Sequence, residues 1–242
     1  MKKATLLGLL TLFVISCSED SSSSSNGTVT LKASAITATK PSLAGRLSAT
    51  ATPVVVITDF QVNIGGIKFE TDASDVRHET DPLHEDFKLN GPFLLDLLSP
   101  EAALTQIITS VSIPNAKYEE IKFMFVQSTV AGDMQGKTFL LKGTIDGKPF
   151  VVWSSEEAHL QMDFADPSKD FTVNSANLTL NIKIQLDAVL ARISALANQG
   201  LLLDTDGDGV IEITTTLGDG HHTMSHEIQD LLENETHLDD KD

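Results

Sequence analysis

The chain has 242 residues, 41% of them apolar, with 17 basic against 34 acidic residues for a net charge of −17. That balance repels nucleic acid and anionic lipid headgroups, and the apolar share marks a globular rather than a disordered chain. The single cysteine excludes an internal disulfide, and the length fits one large domain or a domain with an appended segment.

Met1, Lys2 and Lys3 give a basic start, followed by an apolar stretch from Leu6 to Ile15. A transmembrane helix needs about 20 apolar residues, so the stretch reads as a secretory signal. "VISC", Val14 to Cys17, resembles the lipobox of bacterial lipoproteins. The resemblance implies that residues 1–16 are removed, that the Cys17 thiol carries diacylglycerol, and that the new amino terminus is acylated. Several acyl chains hold a protein to a membrane firmly, where one holds it only marginally. Ser18, Glu19 and Asp20 are similar to the acidic signal that sends Bacteroidota lipoproteins to the outer face of the outer membrane. Ser21 to Ser25, with Asn26 and Gly27, have no apolar surface to bury, so residues 17–27 are expected to be a lipidated cysteine and a flexible tether.

Residues 28–200 are expected to form a mainly β domain. Strands are predicted over Thr28–Ala33, Val54–Ile64, Ile67–Thr71, Lys88–Leu95, Tyr118–Gln127, Thr138–Ile145 and Phe150–Ser154. Glu70 to Asp86 is acidic and contains Pro82, which predicts an exposed loop; Ser99 as cap and Pro100 at the first helical position predict a short helix. Asp146-Gly147 between two apolar runs predicts a hairpin turn. "NLTLNIKIQL" places Leu178, Leu180, Ile182, Ile184 and Leu186 on one face and Thr179, Asn181, Lys183 and Gln185 on the other. That is a strand with one wet side. A helix with Asp187 as cap and Gly200 as stop carries Val189, Leu190, Ile193, Leu196 and Ala197 on one face. Many short strands with turns between them predict an antiparallel β-sandwich with few helices.

"GPFLLDLL", "IPNAKYEEIKFMF", "LLKGTIDGKPFVV" and "NLTLNIKIQL" resemble an uncharacterised family of secreted bacterial lipoprotein domains, over roughly Val54 to Ile193. The family's pattern includes a "DLL" strand end, a "G-x-Y-x-x-I" strand start and a late hairpin; Ala116 and Lys117 stand where the glycine is usual. The resemblance implies an immunoglobulin-like or transthyretin-like β-sandwich and a secreted location.

Residues 201–242 are expected to hold a calcium-loop-like segment and a C-terminal helix. In "DTDGDGVIE", Asp204, Asp206 and Asp208 take positions 1, 3 and 5 of a calcium loop, with Gly209 at the sharp turn. The Val210 carbonyl and Glu212 follow as further oxygen donors. Thr215 stands where an EF-hand wants a bidentate Glu, and "VIEITTT" reads as extended, so a looser extracellular type of loop is expected. Asp219 and Asp187 are the candidates for the missing ligand. The helix "HHTMSHEIQDLL" puts Met224, Ile228, Leu231 and Leu232 on a docking stripe. Its His222, His226 and Asp230 are spaced i, i+4, i+8, a pattern that can take Zn²⁺, although a solvated polar face has the same pattern.

The sequence holds no G-x-S-x-G, no phosphate-binding loop, no H-E-x-x-H, and no cysteine besides Cys17. Glu156 and Asp163 could serve as a glycosidase carboxylate pair, with His159 beside Glu156 as a surface charge partner, but so acidic a chain offers such pairs by chance. Trp153 and Tyr118 are the only large amphipathic rings, a thin platform for stacking sugars. The expectation is a non-enzymatic binding or adhesion protein, lipid-anchored on the outer membrane, stabilised by calcium and recognising a glycan or protein. Surface metal or nutrient capture and a carboxylate-based glycan hydrolase are the alternatives.

Overall fold

A computed structural model describes residues 26–36, 53–71, 86–98, 111–163, 170–174, 177–215, 218–234 and 236–241. The lipobox with Cys17, the serine tract and the helix expected from Ser99 lie outside the described residues, as does most of the loop expected between Glu70 and Asp86.

The described chain is mainly β, in two sheets. Its strands are β1 (Asn26–Ile36), β2 (Val55–Thr71), β3 (Phe87–Asp96), β4 (Val111–Pro114), β5 (Lys117–Phe125) and β6 (Phe139–Ile145). They continue with β7 (Lys148–Ser154), β8 (Ala158–Asp163), β9 (Phe171–Thr172), β10 (Asn177–Gln185), β11 (Ile211–Thr214) and β12 (Thr236–Lys241). Two helices, α1 (Asp187–Asn198) and α2 (His222–Asn234), complete the described elements. The smaller sheet runs β12-β10-β1-β4, and the larger runs β11-β7-β6-β2-β5-β8, with β3 also on β2 and β9 on β5. The sheets face each other across an apolar core. Ala33, Ile182 and Ile184 of the small sheet line one small cavity together with Val62, Phe123 and Leu160 of the large one.

The pairing is antiparallel except that β1 lies parallel to β10 and β11 parallel to β7. The alternation in β10 is realised as read: Leu180, Ile182, Ile184 and Leu186 are buried, while Gln185 is exposed and Lys183 half-buried. Asn26 and Gly27, expected in the tether, already belong to β1, where they pair with Pro114 and Ile113 of β4. Glu70 and Thr71, shared by the strand expected over Ile67–Thr71 and the loop expected from Glu70, are the last residues of β2.

Gly65-Gly66, expected to separate two strands, is instead a register shift inside the single long β2. Its first half pairs with β6 and its second with β5. Buried Asn63 sits at the hand-over: its N–H donates to the Thr138 carbonyl at 2.9 Å, and its carbonyl accepts from Val126 N–H at 3.0 Å. The Asn63 side-chain amide donates to the Val126 carbonyl at 2.9 Å, so a polar side chain stands in for a ladder bond where the partner changes. At Gly65 a Cβ would lie 2.6 Å from Val126 Cγ1, which is why glycine is needed at the shift.

The Asp146-Gly147 hairpin forms as expected, with both residues at positive φ, 49° and 83°, as a type I′ turn requires. Inside that hairpin Gly143 pairs with Phe150, whose ring covers it. A Cβ on Gly143 would meet the Val56 carbonyl at 2.1 Å, and Gly143→Ala is expected to cost about 1–3 kcal/mol by forced overpacking. Thermal unfolding checks this; an unchanged midpoint would mean that β6 does not sit against β2 as described.

Tyr118 is fully buried, stacked on Phe171 at 5.3 Å with Phe69 edge-on at 5.9 Å, and its hydroxyl donates to the Pro114 carbonyl. It is a core ring, not a sugar platform.

The C-terminal segment was expected as an appendage, but it is woven into the sandwich. β11 adds an edge to the large sheet and β12 an edge to the small one. Before them, α1 begins at Asp187 itself, with Leu186 in the cap position, and buries Val189, Ile193 and Leu196. Gly200 stops α1 at φ 69°, where Leu201 N–H reaches back to the Leu196 carbonyl at 3.1 Å.

Candidate functional site

The acidic segment lies between α1 and β11, and side-chain oxygens shape its turn. Asp204 accepts from Gly207 N–H at 2.7 Å and from Gly209 N–H at 3.0 Å, with both glycines at positive φ. Asp206 accepts from Asp208 N–H at 3.1 Å, and Asp208 accepts from Val210 N–H at 2.8 Å. Each is an Asx-type turn in which a short carboxylate replaces a backbone acceptor. The "VIE" that follows is extended as read, because Ile211 and Glu212 pair with Phe150 and Val151 of β7.

Asp219 closes the segment from the far side. Only 6% exposed, it accepts from Thr205 N–H at 2.5 Å, the Thr205 hydroxyl at 2.9 Å and Glu212 N–H at 2.8 Å. One carboxylate oxygen from each of Asp204, Asp206 and Asp219 falls within 4.8 Å of the others. Of the two candidates for the missing ligand, the fold brings up Asp219, while Asp187 opens α1. Asp208 and Glu212 are not in that trio, and Val210 directly precedes β11. Thr215 turns away, its hydroxyl accepting from Ser155 N–H at 3.3 Å.

The charges bear on one another. Burial raises the Glu212 carboxyl above the ordinary glutamate value, and the negative charges of Asp208, Asp206 and Asp219 add to it. Burial also works to raise Asp219, but the donors from Glu212, Thr205 and Asp206 outweigh it and hold that carboxyl below the usual aspartate range. Crowded carboxylates with one member kept firmly ionised favour a hard divalent cation with oxygen ligands.

The sign for Glu212 follows from its raised value: the folded chain binds the proton more tightly than the unfolded one. Its contribution to stability is full below the ordinary glutamate range and is lost as pH rises through the raised value. In chelator, Glu212→Gln should therefore flatten the decline of stability above that range. Denaturant unfolding across pH checks it, and identical profiles for variant and wild type would contradict it.

α2 is fastened on several sides. Arg192 of α1 pairs with Glu227, its Nε lying 2.8 Å from Oε2. The buried Ser225 hydroxyl donates to the Trp153 carbonyl at 3.1 Å, and Ile228 and Leu232 are buried beneath the helix. Met224 and Leu231 of the expected stripe are partly buried, while Ser225 and Gln229 take buried places. His221, 9% exposed, lies just before the helix with Nε2 3.0 Å from the Leu203 carbonyl, tying α2 to the start of the acidic segment. His222 and Asp230 are exposed and His226 half-buried. The two imidazoles are neighbours, 4.8 Å between centroids, and the acid that faces them is Glu156, 3.4 Å from His226 Nδ1.

Of the suggested carboxylate pair, Glu156 faces His226, and the Asp163 side chain lies outside the described residues. The structure brings together a different pair, Glu70 and Glu120, which are register partners across β2 and β5. Burial, with the neighbouring Glu70, raises Glu120 above the ordinary glutamate value. The hydrogen bond from Glu120, with Lys68 and Lys122, pushes Glu70 down to about 2. With Lys122 2.8 Å from Glu120 and 2.9 Å from Glu70, the group forms an ion-pair network across the strands. The i, i+2 pairs Lys68–Glu70 and Glu120–Lys122 follow from alternation along each strand, but the two carboxylates meet only through strand register. Trp153 is half-buried and carries the Lys137 ammonium 5.3 Å over its ring, where a sugar would stack.

Comparison with protein families, with curated proteins and with solved structures finds no match to the chain. Among the described residues no helix is long and apolar enough to cross a membrane.

Proposed function

We propose that the chain is a non-enzymatic, lipid-anchored binding protein of the bacterial outer membrane whose C-terminal segment is held on the sandwich by calcium. The observation that carries the calcium is the gathering of Asp204 and Asp206 with the buried Asp219 from beyond β11. An ion shared by these acids would relieve their repulsion and tie the acidic turn to the residues leading into α2. Such a site suits extracellular calcium, which reaches millimolar and fills weak loops.

The anchor rests on "VISC" and the acidic residues after it, and the binding role rests on a β-sandwich held out from a membrane. The partner is a glycan or a protein; the net charge of −17 disfavours nucleic acid. Intact-mass measurement of membrane-extracted protein tests the anchor. The expected mass is that of a chain starting at Cys17 with added acyl groups, and Cys17→Ser should leave the membrane fraction. A soluble chain starting elsewhere, or a Cys17→Ser protein that still fractionates with membrane, would overturn the anchor.

A further inference from the structure

His222 and His226 stand together on α2, and Glu156 approaches His226 from the turn between β7 and β8. His222 and His226 are one helical turn apart, and their rings lie 4.8 Å apart between centroids at a 43° tilt. That spacing lets two imidazole nitrogens reach one ion from a single helix face. Asp230 continues the row in sequence but stands two turns beyond His222, about 12 Å along the axis. The third group comes from another element: Glu156, in the turn between β7 and β8, points Oε2 at His226 Nδ1 from 3.4 Å. A carboxylate at this distance favours the proton on Nδ1 by its charge, which leaves Nε2 with the lone pair a metal needs, as in the carboxylate–histidine–metal arrangement.

Both halves are held before any ion arrives. The Glu156 backbone N–H donates to Ser154 Oγ at 3.0 Å, and its neighbour Ser155 bonds Thr215. α2 is fixed by Arg192–Glu227 and by Ser225 on the Trp153 carbonyl. His226 and Glu156 keep side-chain exposures of 40% and 48%, so an ion can enter from solvent and water can complete its shell.

We infer that His222 and His226, oriented by Glu156, form a surface site for a borderline divalent ion of the zinc class. Imidazole nitrogen selects zinc, nickel or copper over calcium, so this site and the acidic turn take different ions. Filling it would clamp α2 onto the β7–β8 turn.

The test is calorimetric titration of the full-length chain with zinc chloride, in buffer already saturated with calcium so that the acidic turn does not report. Wild type is expected to bind one zinc ion and His222→Ala/His226→Ala none. Glu156→Gln should bind at least about tenfold more weakly, the usual loss for an orienting partner. Asp230→Asn should bind as wild type does. In zinc-free buffer the double-histidine variant should unfold near the wild-type temperature, since His222 is exposed and the His226–Glu156 contact is solvent-screened. Zinc heat that survives in the double variant, or Glu156→Gln binding equal to wild type, overturns the site. So does a loss of stability without zinc, which would mark the rings as packing groups. Calcium binding has its own readout in the acidic turn, so failure of either site leaves the other measurable.

Discussion

Leu180→Asp is expected to leave no cooperative folding transition. Leu180 is fully buried in β10, on the same face as Ile182 and Ile184, which line the cavity between the two sheets. Truncating such a leucine to alanine already costs about 2–5 kcal/mol. A carboxylate there adds the loss of hydration without a partner, several kcal/mol more, against a total stability of about 5–15 kcal/mol. Ile182→Asp, two residues along on the same face and 2% exposed, should fail in the same way. Lys183→Thr changes only the opposite face and should be nearly silent. Circular dichroism with urea titration separates the cases. If Lys183→Thr proved the damaging change, the inner face of β10 would be the other one.

Asp219→Ala should weaken the protein with or without calcium, and this sets it apart from Asp206→Asn. Asp219 is buried and satisfies the backbone N–H groups of Thr205 and Glu212 as well as the Thr205 hydroxyl. Removing it strands donors that cost about 1–3 kcal/mol each, so a loss of roughly 3 kcal/mol is expected even in chelator. Asp206 is exposed, and its single turn bond from Asp208 N–H survives in asparagine. Asp206→Asn should be at least as stable as wild type in chelator, where it relieves repulsion among the acids, and fall behind only when calcium is added. Unfolding curves of both variants, with chelator and with calcium, give four numbers that the account orders in advance. An Asp219→Ala protein as stable as wild type in chelator would mean that the carboxylate does not hold the turn.

The parts of the fold legible in the sequence are those fixed by residues near one another along the chain. The alternation of β10, the Asp146-Gly147 turn, the extended Ile211–Thr214 and the Gly200 stop each follow from a few adjacent side chains. What escaped is set by distant partners. Gly65-Gly66 reads locally as a break, but β2 is paired on both sides of that point and absorbs the glycines as a register shift. β8 is an exception: "AHLQMD" alternates apolar and polar residues as β10 does and buries Ala158, Leu160 and Met162, so its signal is present in the sequence. Six residues beside acidic neighbours make it easy to pass over. The parallel pairings of β1 with β10 and of β11 with β7 leave no trace in either partner alone. The site divides in the same way. The carboxylates of the acidic turn announced themselves by spacing, but preferring Asp219 to Asp187 needed the path of the chain through β11. Glu156 reached His226 from another element, where helical spacing had offered Asp230.

Whether the acidic turn takes calcium is read by calorimetry of the chelator-treated, full-length protein. Wild type should bind one calcium ion with a dissociation constant of about 10⁻⁴ to 10⁻³ M, the range of extracellular modules. At ten times that concentration the ion should add about 1.4 kcal/mol of stability by mass action. Asp206→Asn should bind far more weakly, because it removes one charge from the trio and keeps the turn. No heat of binding in wild type, or equal heat and affinity in Asp206→Asn, would mean that the acidic turn is not a calcium site.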